Sequence, residues 1–240
     1  MAETTNPAVF EPVTAPSTYE QTLLRLGTAI RIGILSPGER LPPERELADQ
    51  LGISRSTLRQ ALATLTETGH LVAVRGRTGG TFVARTPPVA SGVPVEIERS
   101  RALLDWRMAL ELGTVELAAE RATDAQRAGL EEAALECGEQ DEWANFRRHD
   151  ARFHLRLAEA AHSDRAVKAM THVQGELSDL LTHLERTDFV PTESAAQHRE
   201  VASAVARGDV PGARDAMRTH LAATERCFDG LIASDGAAVS

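Results

Sequence analysis

The stretch LPPERELADQLGISRSTLRQAL, residues 41–62, decides how the first part of this chain folds. After Pro42 and Pro43, apolar residues recur at helical spacing from about residue 44 to 51, and Gly52 supplies a C-terminal cap. Ser54 can then cap a second helix that runs to about residue 68. Two short helices joined by a tight turn predict a helix-turn-helix.

The flanking sequence extends this motif on both sides. Upstream, apolar residues at helical spacing from Thr18 to Ile34 predict a preceding helix, which the turn-forming residues 36–38 end. Downstream, LVAVR (71–75) and GTFVAR (80–85) have strand composition, and glycines in the RGRTGG segment between them favour a hairpin loop. Residues 18–86 therefore predict a winged helix-turn-helix, a DNA-binding domain in which the hairpin is the wing.

The rest of the chain has only helical patterns. Pro, Gly and Ser interrupt all periodicity in TPPVASGVP, residues 86–94, which predicts a linker over residues 87–95 and a second domain over residues 96–233. We expect flexible tails at residues 1–17 and 234–240. The fold class is thus mainly α, with the winged helix-turn-helix followed by an all-α antiparallel helical bundle. Its amphipathic runs lie at about residues 96–122, 124–138, 142–161, 164–187, 193–207 and 211–232.

Charge and composition narrow the classes of protein to which this chain can belong. The net charge is -9, but residues 1–86 carry +1 from nine arginines and eight acids, whereas residues 87–240 carry -10 from 17 basic and 27 acidic residues. The acidity therefore belongs to the second domain and does not exclude DNA binding by the first. The two cysteines match no zinc or redox spacing, and no apolar run reaches the length of a membrane span. We expect a cytoplasmic protein with no membrane partner.

The first turns of the predicted recognition helix carry a cluster of polar side chains that could read DNA. The N-terminal end of such a helix enters the major groove, where arginine can hold guanine with two hydrogen bonds and hydroxyls reach phosphates or base edges. Arginines and glycines of the wing suit the minor groove and the backbone. The candidate DNA contacts are Arg45, Ser54, Arg55, Ser56, Thr57, Arg59, Arg75, Arg77, Gly79 and Gly80.

Residues 18–86 resemble the N-terminal domain of the GntR family of bacterial regulators. The resemblance lies in LPPERELADQLGISRSTLRQAL and in the later GRTGGTFV segment. It implies operator contacts by the arginines of the "ER" pair, the "SR" pair and the "R-x-A-L" segment, which are Arg45, Arg55 and Arg59. Gln60 stands where members more often carry Glu, a mild departure.

Four residues of the second domain could bind a metal. Asp150 and His154 lie four apart, on one face of a predicted helix. His198 and His220 are equidistant from residue 209 in the turn RGDVPG, so an antiparallel hairpin brings them level. If the two faces meet, three imidazoles and one carboxylate form a ligand set suited to zinc, nickel, iron or manganese, with zinc preferred. Five further histidines have no converging partners and receive no role, namely His70, His149, His162, His172 and His183.

The second domain also resembles a known one, the helical effector-binding FCD domain of the FadR-like branch. The resemblance covers residues 98–232 through LLDWRMALELGTVELAAERAT, DARFH and QHREVASAVARGDVPGARDAMRTHL. It implies a divalent metal held by Asp150, His154, His198 and His220, with Arg107 matching an arginine that helps to hold an effector carboxylate. The segment AHSDRAV, residues 161–167, departs from the Gly-Asn step of many relatives.

These patterns predict a metabolic regulator, expected to be a repressor, that binds a palindromic operator as a homodimer and senses a small organic acid at a metal site. Two alternatives stay open at this point. The first is the same regulator with a metal-free pocket for a larger acyl effector. The second is a helical metalloenzyme with a DNA-targeting domain, although the sequence shows no obvious catalytic base beside the ligands.

Overall fold

The computed structural model has an N-terminal domain of helices followed by a two-stranded hairpin. Its description covers residues 17–76, 79–88, 97–140, 142–181 and 191–238. The elements are α1 (Thr18–Arg31), α2 (Glu44–Leu51), α3 (Arg55–Glu67), β1 (Leu71–Val74) and β2 (Gly80–Val83). The strands pair antiparallel, from Leu71 opposite Val83 to Val74 opposite Gly80. The predicted winged helix-turn-helix is confirmed.

Local chemistry sets the turn between α2 and α3. Gly52 ends α2 in the left-handed conformation, with φ of 66°, which glycine adopts without steric penalty. Ser54 begins α3 by accepting a hydrogen bond from the backbone N–H of Thr57 at 3.1 Å. Leu47 and Leu58 are buried between the helices and hold the pair together.

The first helix ends earlier than its apolar spacing predicted. α1 stops at Arg31, and Gly33 turns the chain with φ of 73°. Ile34, which fits the helical spacing, lies outside the helix and is 46% exposed. The pattern failed because the buried residue at this end is Ile32, which packs against the second domain rather than in the core of the first.

Every described element of the second domain is a helix, as predicted. They are α4 (Ile97–Arg121), α5 (Asp124–Gly138), α6 (Trp143–Ala160), α7 (Asp164–Leu181), α8 (Pro191–Ala206) and α9 (Val210–Ala238). α9 runs to Ala238, beyond residue 232, where the predicted helix ended. Apolar spacing fades near residue 232, but alanine favours helix and no proline interrupts it.

Several sequence predictions lie outside the described residues. These are residues 1–16 of the N-terminal tail, residues 89–95 of the linker, and the continuation of α7 from residue 182 to 187. Within the part of the chain that is described, no helix has the length and apolar composition of a membrane span.

The two domains meet where the end of α1 contacts α6 and α7. Ile32, which is 1% exposed, packs in a cluster with Ala151 and Leu155 of α6 and Met170 of α7. Arg31 donates a hydrogen bond to Asp179 of α7 at 2.8 Å. The N-terminal domain therefore packs directly against α6, a helix that also carries candidate metal ligands.

Candidate metal centre and nucleic-acid interface

Four side chains from three helices converge inside the second domain. Asp150 and His154 come from α6, His198 from α8 and His220 from α9. One oxygen or nitrogen atom of each lies within 4.8 Å of one such atom of every other. All four residues are at most 6% exposed. The structure therefore brings together the residues that the sequence selected as metal ligands.

Helix geometry explains this convergence. Residues four apart lie one above the other on a helix, so Asp150 and His154 share one face of α6. α8 and α9 form an antiparallel hairpin in which Gly208, with φ of 67°, occupies the turn. The ring centroids of His198 and His220 are 4.5 Å apart, as expected for residues equidistant from Asp209. His198 Nε2 lies 3.3 Å from Asp150 Oδ1, and His220 Nε2 lies 3.3 Å from His154 Nε2.

Arg107 of α4 reaches the same cluster. Its Nη2 atom lies 3.3 Å from Nε2 of His154 and 3.4 Å from Nε2 of His220. The residue is only 2% exposed, which is rare for an arginine unless its charge is paired. The residue predicted to hold an effector carboxylate therefore faces the candidate metal ligands.

Three residues that sequence reasoning missed surround these side chains. Glu111, one turn after Arg107 on α4, accepts a hydrogen bond from Arg107 Nε at 2.8 Å and contacts His154 Nδ1. Gln174 of α7 donates to the same carboxylate at 3.2 Å, and Gln197 Oε1 lies 3.2 Å from His220 Nδ1. The four-residue spacing from Arg107 to Glu111 was a usable signal, whereas the two glutamines belong to no pattern.

The electrostatics favour neutral imidazoles at His198 and His220 beside an ionised carboxylate at Glu111. Burial lowers the pKa of both His198 and His220 well below the usual value, and the nearby His154 and Arg107 lower it further. Burial raises the pKa of Glu111, but His154 and Arg107 outweigh it and hold the pKa at about 2. Neutral imidazole is the form of histidine that binds metals.

The donor set itself fits a divalent metal ion. Neither ring nitrogen of His198 makes a hydrogen bond, although both are buried. Buried polar atoms are normally hydrogen-bonded, so these unpaired imidazole nitrogens beside a carboxylate indicate a site that a bound ion would complete. Three nitrogens and one oxygen suit the borderline metals better than calcium or magnesium, which prefer oxygen.

The candidate DNA-reading residues lie at the exposed start of α3 and on α2. Arg45, Arg55 and Arg59 are all exposed. Arg59 Nε donates to Glu44 Oε2 at 2.6 Å, a contact that the sequence did not suggest and that restrains the direction of its guanidinium. Ser54, Ser56 and Thr57 form a hydroxyl cluster, in which Ser54 Oγ lies 2.8 Å from each neighbouring hydroxyl oxygen.

The wing has a tighter structure than its glycine content alone implied. Arg75 is exposed at its base, and Arg77 lies outside the described residues. A side chain at Gly79 would collide with the backbone, because its Cβ would meet the carbonyl oxygens of the preceding turn. Arg40 Nη2 donates to the Gly79 carbonyl at 2.7 Å and also lies against Gly80. The hydrogen bond of Arg40 therefore connects the segment before α2 to the wing.

Comparison with known families assigns both domains. Residues 18–83 match the family described as bacterial regulatory proteins, gntR family, and residues 102–223 match the FCD domain. The matched families and relatives are transcriptional regulators, so the metalloenzyme interpretation is dropped.

Relatives match over most of their length. The provisionally named transcriptional regulator RmpR of Mycobacterium gastri is 34% identical over 82% of this chain and 75% of its own. A protein of Escherichia coli K12, provisionally named L-lactate dehydrogenase operon regulatory protein, is 35% identical over 78% and 77%. LutR of Bacillus subtilis is 28% identical over 84% and 96%.

Solved structures support the same fold. That of McbR/YncC from E. coli covers 90% of this chain and 99% of its own, with a TM-score of 0.56 and 22% identity. A GntR family member from Pseudomonas syringae pv. tomato covers 97% and 94%, with a TM-score of 0.52 and 19% identity. At this identity the likeness shows the fold alone. Together with the family matches, these findings establish that the chain belongs to the GntR family of bacterial transcriptional regulators and carries an FCD domain.

Proposed function

We propose that this regulator represses metabolic genes by binding a palindromic operator as a homodimer, and that a small carboxylic acid controls it at a metal site. The observation that carries the proposal is the convergence of three histidines, one aspartate and Arg107 in one buried cluster. This cluster lies in the domain on which the DNA-binding domain rests.

Asp150, His154, His198 and His220 would hold the metal, with zinc as the preferred ion and nickel, iron or manganese as the other candidates. When bound, the ion would supply a Lewis-acidic centre that attracts an anionic oxygen. The ligand residues contribute three imidazoles and a carboxylate that packing already holds together, so little ordering is needed on binding.

Arg107 would recognise the acid. Its guanidinium can donate charge-assisted hydrogen bonds to a carboxylate, and burial strengthens such bonds. The E. coli relative whose name refers to an L-lactate dehydrogenase operon makes L-lactate the first acid to test. A short acid also suits a cluster in which Arg107 and the four candidate ligands are all buried.

The DNA-binding face supports the dimer. Arg45, Arg55 and Arg59 give one domain few positive charges with which to contact phosphates and bases, and the domain as a whole carries only +1. Affinity for DNA grows with the number of phosphates neutralised, and linking two DNA-binding domains in a dimer raises it further. A two-fold pair of α3 helices would match two half-sites of a palindrome.

A binding assay with matched proteins tests this function. Gel shifts on the upstream region of the protein's own operon would use metal-loaded protein, with and without L-lactate and related short acids. We expect an acid-dependent change in DNA affinity that disappears in an Arg107→Met variant. A response that needs no metal and requires long-chain acyl compounds would replace this proposal with the metal-free alternative.

A further inference from the structure

Glu111 occupies a position between the effector arginine and a metal ligand. We propose that it is a positioning residue, which fixes the tautomer of His154 and couples His154 to Arg107 through one carboxylate. This inference rests on the proposed function, because it describes how the same site is regulated. Glu111 has no part in the ligand set and was not among the residues that the sequence selected.

Glu111 is completely buried and uses both carboxylate oxygens. Oε1 accepts hydrogen bonds from Arg107 Nε at 2.8 Å and from Gln174 Nε2 at 3.2 Å. Oε2 makes a close contact with Nδ1 of His154. A carboxylate removed from water is costly unless it is paired, and here three side chains from three helices compensate it.

The contact with His154 decides which ring nitrogen carries the proton. An ionised carboxylate can only accept hydrogen bonds, so the nitrogen that faces Glu111, Nδ1, is the one that carries a hydrogen. Nε2 then presents its lone pair towards Asp150 and His220, whose nearest ligand atoms lie 4.0 Å and 3.3 Å away. The tautomer that Glu111 selects is therefore the one that can bind a metal.

His220 provides an internal comparison. Its Nδ1 lies 3.2 Å from Oε1 of Gln197, an amide that could rotate to offer its N–H group instead. An amide therefore restricts the tautomer of His220 less strictly than a carboxylate restricts that of His154. For this reason we assign the stronger positioning role to Glu111 and use Gln197 as the matched control.

The same carboxylate links the two functions of the site. Arg107 is held by Glu111 through Nε, while its Nη2 lies 3.3 Å from His154 Nε2. An acid that draws the guanidinium towards itself would change the hydrogen bonds of Glu111 and, through them, the restraint on His154. Acid binding and metal binding would then be coupled through one residue, and the coupling would be reciprocal.

Nitrogen NMR of the histidine rings in metal-free protein tests the tautomer directly. We expect His154 in the wild-type protein to carry a proton on Nδ1. A ring protonated on Nε2 alone would overturn the inference without any variant. Because this measurement needs no metal, it remains decisive even if the protein proves to bind none and the proposed function fails.

Zinc affinity, measured by competition with a chromophoric chelator, tests the consequence. In Glu111→Gln we expect a mixed His154 tautomer and zinc binding weaker by about 10- to 100-fold, the usual effect of losing such a partner. Gln197→Leu should leave the His154 tautomer unchanged. L-Lactate should strengthen or weaken zinc binding in the wild type but no longer in Glu111→Gln. Wild-type zinc affinity and an unchanged Nδ1–H tautomer in Glu111→Gln would overturn the inference.

Discussion

Replacing Ile32 by alanine perturbs the contact through which the DNA-binding domain rests on the second domain. Ile32 is 1% exposed and packs against Ala151, Leu155 and Met170, whereas the nearby Ile34 is 46% exposed. The two isoleucines lie just beyond the same helix and differ mainly in burial. They therefore form a matched pair in which the same substitution removes the same atoms.

The size of the effect follows from the buried atoms. Truncation of Ile32 removes three carbons, and burial of each contributes about 0.8 kcal/mol, so the transfer term is about 2.4 kcal/mol. The cavity that remains adds to this loss of stability, and such substitutions lower the free energy of unfolding by about 2–5 kcal/mol in total. Ile34→Ala should change stability by less than about 0.5 kcal/mol, as is usual for exposed positions.

Urea unfolding followed by circular dichroism measures both values by linear extrapolation. We expect Ile32→Ala to lower the free energy of unfolding of the DNA-binding domain, or to separate its transition from that of the second domain. The same variant should bind DNA with less dependence on the effector. Equal effects of the two substitutions, or a loss below about 0.5 kcal/mol for Ile32→Ala, would refute the assigned domain contact.

Further predictions concern the DNA-reading face and the metal site. Arg55→Ala should lower the preference for operator over unrelated DNA by about 5- to 150-fold, which corresponds to about 1–3 kcal/mol, in fluorescence anisotropy titrations; an unchanged preference contradicts the assignment to base contacts. Arg45→Ala should instead weaken binding to all sequences alike and reduce its salt dependence, and a selective loss of operator binding would argue against a phosphate contact. Dialysis against a chelator should lower the melting temperature of the wild-type protein, since a ligand bound only by the folded state stabilises it, and restored zinc should reverse the change; identical melting curves would speak against a bound metal.

The architecture could be predicted because its signals are local. The Gly52 turn, the Ser54 cap and the glycine-rich hairpin each follow from the chemistry of one or two residues. The alignment of His198 with His220 was predictable too, because a hairpin of two straight helices has a geometry that residue counting captures.

The parts that sequence reasoning missed depend on contacts between distant elements. Glu111 belongs to the site because α4, α6 and α7 pack together. Its four-residue spacing from Arg107 indicates a pair on one face of α4, but not its contacts with His154 and Gln174. Ile34 fits the apolar spacing of the first helix but is exposed, whereas Ile32 packs against the second domain, since periodicity along one helix does not report which distant element buries a residue. Arg40 reaches Gly79 across the wing for a similar reason.

The metal content of purified protein tests the central claim most directly. Elemental analysis would compare the wild type with His198→Ala and His220→Ala, and with His172→Ala as a control whose side chain is 58% exposed and outside the cluster. We predict about one divalent ion per chain in the wild type and the control, as expected of a single four-ligand site, and loss of the ion in both cluster variants. A wild-type protein without metal after expression and incubation with zinc, or equal metal content in all variants, would contradict the site.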